Sequence, residues 1–403
     1  MELMKSVFKG DLQKIIRRHS VLIAANLTSS VGLGYLWING HKCLAPMITT
    51  FCLGGNYLYA RIKAKEKMSS NQAIVITGCD SGLGYSLALQ CRLLGAKVIA
   101  GVLKNNGPGA RHLREKDIVV YQLDITDNDS VGNFASSVLT LLKNDHLVLR
   151  CLINNAGVMI FGEFEWQTED QIRSQVEVNF LGTMRITQEF MPIIRGHSSR
   201  IIVISSHCNS APLPGVAAYG ATKAAINAWA TSIRVELKKY GIKVVCFVPG
   251  SFTRESNILS RQTEHFEIMK TSMPEEAKNF YGDYFIRYAE YFSCMAQEIE
   301  PKMIENKRLY EIFEDALLDK YPSSVYKCEP WRYFFYHTLF KISPTNLRDI
   351  LIERFVQLPS WNGGKMAKRQ TGNTCFSTRS QNFLNIREKI VEEDYVTEKK
   401  KTT

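Results

Sequence analysis

Between residues 69 and 250, short apolar runs alternate with longer stretches of helical periodicity, and this alternation restricts the fold more than any other feature of the chain. Runs such as Gln72-Ala73-Ile74-Val75-Ile76 are apolar on both faces of an extended chain and suit strands that are buried on both sides. A sheet of such strands is parallel, because crossover helices are what cover both of its faces. The pattern predicts strands at 73–77, 97–102, 118–123, 149–154, 200–205 and 243–249, with no internal repeat. The first runs directly into Thr77-Gly78-Cys79-Asp80-Ser81-Gly82-Leu83-Gly84, which opens a helix. Glycines at such a turn let the backbone approach a pyrophosphate, whose charge is met by the helix N-terminus.

A second pattern carries chemistry. Ser206 stands at a strand end, and after a loop containing Pro212, Pro214 and Gly215 comes Tyr219-Gly220-Ala221-Thr222-Lys223, opening a helix predicted over 218–240. Residues at i and i+4 share a helix face, so the Lys223 ammonium can lie beside the Tyr219 phenol. A neighbouring positive charge favours the phenolate and is expected to bring the phenol toward a working pH. With the Ser206 hydroxyl, the pair can hold a carbonyl or alcohol oxygen and exchange a proton with it.

Further elements recur in order. Asp124-Ile125-Thr126 follows the third strand, Asn154-Asn155-Ala156-Gly157 the fourth and Pro249-Gly250 the sixth, while Asn179 lies within a helix. With TGxxxGxG, NNAG, Asn, Ser, YxxxK and PG in that succession, the chain resembles the short-chain dehydrogenase/reductase family. The resemblance implies an α/β fold, a Rossmann-like doubly wound parallel sheet, and an NAD(P)-dependent oxidoreductase interconverting a secondary alcohol and a ketone. It implies that Asn179, Ser206, Tyr219 and Lys223 are catalytic, with Asn179 anchoring a relay water behind Lys223. Thr77, Gly78, Ser81, Gly82, Leu83 and Gly84 would form the pyrophosphate turn, and Asp124 and Ile125 would flank the adenine. Asn155, Ala156 and Gly157 would line the cofactor trough, Tyr219 and Lys223 would hold the nicotinamide ribose, and Pro249, Gly250 and Thr253 would close over the nicotinamide.

The residues alone leave NAD and NADP open. The stretch after the second strand reads Gly101-Val102-Leu103-Lys104, with neither an acid for a ribose 2′-OH nor an arginine for a 2′-phosphate. Ala100 to Leu103, Asn106-Gly107-Pro108-Gly109-Ala110 and Leu113-Arg114 resemble the subgroup of type 2 17β-hydroxysteroid, retinol and D-3-hydroxybutyrate dehydrogenases, which implies NAD. The arthropod moulting-steroid branch of that subgroup is a further likeness, which would place the activity in ecdysteroid biosynthesis. The resemblance continues loosely to about Phe355 and implies that 251–358 form a substrate lid. Within it Tyr281, Tyr284, Phe285, Tyr288 and Phe292 fall on one helix face, a stripe suited to packing or to contact with an apolar substrate. Sparse charge there favours a steroid- or retinoid-like lipid over a small carboxylate of the 3-hydroxybutyrate kind. Ser251-Phe252-Thr253-Arg254-Glu255 departs from the small apolar loop of the subgroup. Two rival readings are a catalytically idle binding protein and a nucleotide-sugar epimerase. The intact Asn, Ser, Tyr and Lys argue against the first, and the absence of a TGxxGxxG spacing against the second.

The net charge of +11 does not mark a nucleic-acid binder. Lys and Arg exceed acids by three in 1–20, three in 61–67 and four in 361–403, so the excess sits at the flanks and the centre is nearly neutral. Ten cysteines without CxxC pairs point to a reduced, cytosol-facing protein with neither a disulfide framework nor a metal site. Cys79, within the glycine turn, is read as a small inert residue rather than a redox thiol. Two apolar runs, 21–38 and 43–60, each about 27 Å long as helix, reach the lower limit for spanning a bilayer. Basic residues on both outer flanks favour a hairpin with both ends in the cytosol, expected at the endoplasmic reticulum, over the alternative of a single span with one buried helix. The expected organisation is a membrane anchor at 1–68, a dinucleotide-binding core at 69–250, a lid at 251–358 and a disordered tail at 359–403, with homodimerisation as a further expectation.

Overall fold

The computed structural model describes residues 64–361 apart from Arg254, Cys294, Pro330 and Gln357. The expected hairpin and nearly all of the expected tail therefore lie outside the described residues. Among the described residues no helix is long and apolar enough to cross a membrane. The described residues divide into two compact units, 64–273 with 288–358, and 274–287 with 359–361.

The larger unit is built on a seven-stranded, fully parallel sheet. Its strands are β1 (Gln72–Thr77), β2 (Lys97–Val102), β3 (Val119–Gln122), β4 (Val148–Asn154), β5 (Arg200–Ile204), β6 (Lys243–Val248) and β7 (Val325–Lys327), in the spatial order 3-2-1-4-5-6-7. The helices are α1 (Gly82–Leu93), α2 (Pro108–Glu115), α3 (Asn128–Asn144), α4 (Glu169–Val176), α5 (Thr183–His197), α6 (Ala217–Lys238), α7 (Gln262–Ser272), α8 (Glu275–Tyr281), α9 (Asp283–Ser293), α10 (Lys307–Leu318), α11 (Trp331–Ile342) and α12 (Thr345–Val356). Alternate strand residues feed two cores. Ile74 and Ile76 pack with Leu87, Leu113 and Phe313 on one face, while Ala73 and Val75 pack with Phe134, Phe190 and Ile226 on the other. Helix starts are set locally: the Asp127 side chain caps α3 by accepting from Asp129 N, and Thr168 with Gln171 forms a reciprocal capping box at α4.

The seventh strand corrects the expected six. It lies in 251–358, the stretch read as lid, and α10 just before it covers one face of the sheet. Its pattern is exposed, buried, exposed, so only Tyr326 points into the core and no apolar run announces it. The Arg200 guanidinium holds this segment down, donating to the carbonyls of Ala316 and Asp319 at the end of α10. Tyr326 donates from its hydroxyl to Asp319 at 2.7 Å.

The expected anchor boundary at 68 also shifts. Glu66 N donates to Leu318 O and Lys320 N to Ala64 O, both at 2.7 Å, and Lys65 pairs with Asp315. Glu66 is paired with Arg150 and Lys243. Residues 64–66 thus belong to the folded unit, and Lys65 is a partner of α10 rather than a membrane-flanking charge.

In the aromatic stripe, Tyr288 is fully buried among Trp166, Phe266 and Phe292, and Phe161 stacks on Phe292 with centroids 4.2 Å apart. That part of the stripe packs. In the smaller unit, Trp361 stacks on Phe280 and meets Tyr281 and Tyr284 edge-on.

Candidate active site

β1 leads to β2 and β3 on one side of the sheet, and β4 continues on the other, so the carboxyl ends of β1 and β4 flank the crevice where open α/β sheets take ligands. The glycine turn after β1 is one wall. Gly78 and Gly82 hold φ of 68° and 59°, a region that suits glycine. A Cβ on Gly84 would lie 2.2 Å from Gly78 O and 2.4 Å from Asn155 Nδ2, so α1 can start this close to the strand only without a side chain. Ser81 is the extended residue before α1, with no side-chain cap of its own. Its Oγ accepts from Asn257 N at 3.3 Å. Leu83 is partly buried against the core.

The turn is tied to β4 through amide chemistry. Thr77 Oγ1 accepts from the backbone N–H groups of Asn155 and Ala156, each at 3.0 Å. Asn155 Nδ2 donates to the carbonyls of Thr77 and Gly78, each at 2.9 Å. Cys79 is fully buried, and burial pushes its thiol well above the usual range, in keeping with an inert side chain.

Asp124 Oδ1 accepts from the backbone and hydroxyl of Thr126 at 2.9 and 2.7 Å, shaping the turn after β3. Ile125 is buried and faces the position of Gly182, where a Cβ would meet it at 2.8 Å.

Asn179 lies in a π-helical turn (Glu177–Gly182) joining α4 to α5, a wide turn that is frequent at functional sites. Its Oδ1 accepts from Val158 N, and its Nδ2 donates to Val158 O, both at 2.8 Å, and to Thr222 Oγ1 at 3.1 Å. Both amide hydrogens are thus used in tying the trough to α6, which leaves little of the side chain for the expected water. A Cβ on Gly157 would sit 3.2 Å from Asn179 Oδ1 and 3.6 Å from Lys223 Nζ, so these three positions adjoin.

Tyr219 and Lys223 occupy the first turns of α6, both buried. Lys223 Nζ donates to Ile204 O at 3.1 Å and lies 5.7 Å from the Tyr219 ring centroid. Ser206 follows β5, and its Oγ accepts from Cys208 N at 3.3 Å. The expectation that Lys223 draws the phenol down is not met in this pocket. Burial is the dominant influence and pushes the Tyr219 phenol well above its ordinary value; the Cys208 thiol adds to this and the Ser206 hydroxyl opposes it. The same burial brings Lys223 down to about 8, with Cys208 opposing. Its ammonium is directed at a backbone carbonyl rather than at the phenol oxygen.

Pro249 is buried, and Gly250 takes a φ of 99° with Cys328 O only 3.0 Å from where its Cβ would stand. Thr253 is half-buried in the loop beyond.

Residues 72–265 match the model of the short chain dehydrogenase family. Over 277 residues the chain is 32% identical to human (Homo sapiens) 17-beta-hydroxysteroid dehydrogenase type 2, covering 67% of this chain and 70% of that one. The chain belongs to the short-chain dehydrogenase family. It is also 32% identical over 343 residues to estradiol 17-beta-dehydrogenase 2 of Mus musculus, covering 81% of this chain and 87% of the relative. Identity to the mitochondrial D-beta-hydroxybutyrate dehydrogenase of Rattus norvegicus is 32% over 221 residues, covering 53% and 64%. As a short-chain dehydrogenase it is an oxidoreductase of a family that uses NAD(P), and the bare glycine cradle fits a dinucleotide.

Within the glycine turn of this short-chain dehydrogenase stands an acid that the motifs do not single out. Asp80, inside the glycine turn, accepts from the backbone N–H groups of Leu103 and Lys104, each at 2.9 Å. The end of β2, where the sequence shows no acid, therefore carries one contributed by the turn after β1. Its signal was an acid within an otherwise small, neutral turn.

Proposed function

We propose that this enzyme is a membrane-attached, NAD-preferring hydroxysteroid dehydrogenase that interconverts a secondary alcohol and a ketone on a steroid- or retinoid-like lipid. The observation that carries the reading is the convergence of Ser206, Tyr219 and Lys223 at the carboxyl edge of the sheet, beside a glycine turn bare enough for a dinucleotide. NAD, when bound, supplies or accepts the hydride. The chain's residues do the rest. Ser206 donates a hydrogen bond to the substrate oxygen and orients it. In reduction the Tyr219 hydroxyl gives that oxygen its proton; in oxidation the Tyr219 phenolate takes the proton from the alcohol. Lys223 would hold the nicotinamide ribose, and Asn179 holds the trough against α6 so that the groups stay aligned. The steroid- or retinoid-like substrate rests on the likeness to hydroxysteroid and retinol dehydrogenases, and a role in moulting-steroid synthesis is one setting consistent with it. Full-length protein in detergent, assayed by nicotinamide absorbance against hydroxysteroids, retinols and 3-hydroxybutyrate, should turn over a steroid or retinol. Turnover of 3-hydroxybutyrate alone would overturn the lipid reading.

The preference for NAD rests on Asp80. A carboxylate at the end of β2 would accept from a ribose 2′-OH and repel a 2′-phosphate. Asp80→Asn keeps one acceptor for the loop amides and removes the charge. The ratio of kcat/KM for NAD over NADP should fall by about tenfold, roughly 1.4 kcal/mol. An unchanged ratio would assign the choice elsewhere.

The anchor at 21–38 and 43–60 is proposed as a hairpin in the endoplasmic reticulum membrane with the catalytic domain in the cytosol. In intact microsomes, protease should then digest epitopes placed at both Met1 and Thr403 without detergent. Protection of the Thr403 epitope would reject the hairpin.

A further inference from the structure

Behind the serine loop, three side chains far apart in sequence converge in a buried space. His207 follows Ser206 directly, Glu329 comes just after β7, and His337 lies midway along α11. Their exposures are 8%, 9% and 7%. Glu329 Oε1 is 2.9 Å from His207 Nδ1 and 3.4 Å from His337 Nδ1, and the donor atoms of all three lie within 4.8 Å of one another. Distance alone would allow a hydrogen bond between His207 and Glu329, but the approach lacks the alignment of one. His207 Nδ1, His207 Nε2 and Glu329 Oε1 are all buried without a hydrogen-bond partner among the described residues.

Burying three polar side chains this way is costly unless something satisfies them. We propose that His207, Glu329 and His337 bind a structural divalent transition-metal ion of the zinc class, which clasps the active-site serine loop to the C-terminal segment.

Two imidazoles and one carboxylate are a familiar donor set for zinc, with water completing four ligands. Bonds of about 2.0–2.1 Å in a tetrahedron set donors about 3.3 Å apart, and the two contacts to Glu329 already bracket that separation. The nearest competing cation is Lys327, whose Nζ is 3.5 Å from Glu329 Oε1. It is more than a third exposed, on the last residue of β7, and can turn to solvent when an ion arrives. Tyr333 packs its ring 5.6 Å from that of His207 and offers no charge. The expectation of no metal site rests on the spacing of the cysteines, whereas these donors are two histidines and a glutamate from three separate elements.

The test uses the full-length, tag-free protein, stripped with chelator and titrated with Zn2+ alone against a competing indicator. One equivalent should bind, with a dissociation constant below about 1 μM, and thermal unfolding should shift upward by at least about 4 °C and revert on chelation. Glu329→Gln and His337→Ala should each weaken binding by at least about a hundredfold. Substitution with Co2+ should give the visible absorption of a four-coordinate site. Binding no stronger than to Glu329→Gln or His337→Ala, or a melting temperature indifferent to Zn2+ in the unmodified protein, would overturn the proposal. Because that last measurement needs no variant, misfolding of a mutant cannot obscure the answer.

Discussion

Tyr219→Phe is expected to lower turnover by at least about a thousandfold while leaving NAD affinity within about threefold of the parent. The substitution removes one oxygen from a buried ring that otherwise keeps its packing. The proton donor is lost, whereas the glycine turn and Lys223 remain. Rapid-quench turnover and fluorescence titration of NADH separate the two effects, and more than a few per cent residual turnover would remove Tyr219 from the proton-transfer step. The pH dependence follows from burial. With the phenol pushed above its ordinary value, the base form grows as pH rises through the neutral range, so alcohol oxidation should accelerate and ketone reduction should not. Lys223 adds a stability effect of definite sign. Its pKa is about 8 in the folded chain and 10.5 when unperturbed, so between those values the unfolded chain binds more protons and stability attributable to this group rises with pH.

Arg200→Ala should destabilise the protein by about 3 kcal/mol, because two charged hydrogen bonds to buried carbonyls vanish together. For a domain of this size that corresponds to a fall of roughly 6–12 °C in Tm. Arg200→Lys should recover only part, since a single ammonium lacks the planar fork that reaches both Ala316 and Asp319. Thermal unfolding followed by circular dichroism decides it. A fall below about 2 °C would mean that α10 is held by its apolar face alone.

Six strands could be read from the sequence because each is an apolar run with a turn residue after it, and a two-sided parallel sheet demands such runs. The same holds for the Ser206, Tyr219, Lys223 and Asn179 set, whose spacing in a known order reveals which strand ends they follow. What could not be read depends on contacts between distant elements. β7 has one inward residue, too few for a period. Asp80 acts on β2 from the turn after β1, so scanning the end of β2 misses it. The effect of burial on Tyr219 and Lys223 depends on the whole pocket, and the i to i+4 spacing speaks only of their nearness. Arg200 did leave a trace: a cation opening an otherwise wholly apolar strand needs buried acceptors, and Ala316 and Asp319 provide them.

The placement of β7 has a consequence for how the chain reaches its native state. After β6 the chain leaves the sheet and returns only at Val325, through a long helical excursion. Closing a loop of that length costs entropy before the returning strand gains any pairing, which slows the last stage of folding. On the ribosome, residues up to 306 can assemble six strands while the edge of β6 stays open and the surface awaiting Leu309, Phe313 and Leu317 stays wet. A chain cut short before α10 would expose that edge and that surface together, the combination that leads to strand addition between molecules. A stop between the end of β6 and the start of α10 should therefore yield insoluble protein rather than a smaller working enzyme, even though every residue of the Ser206, Tyr219 and Lys223 set is already present.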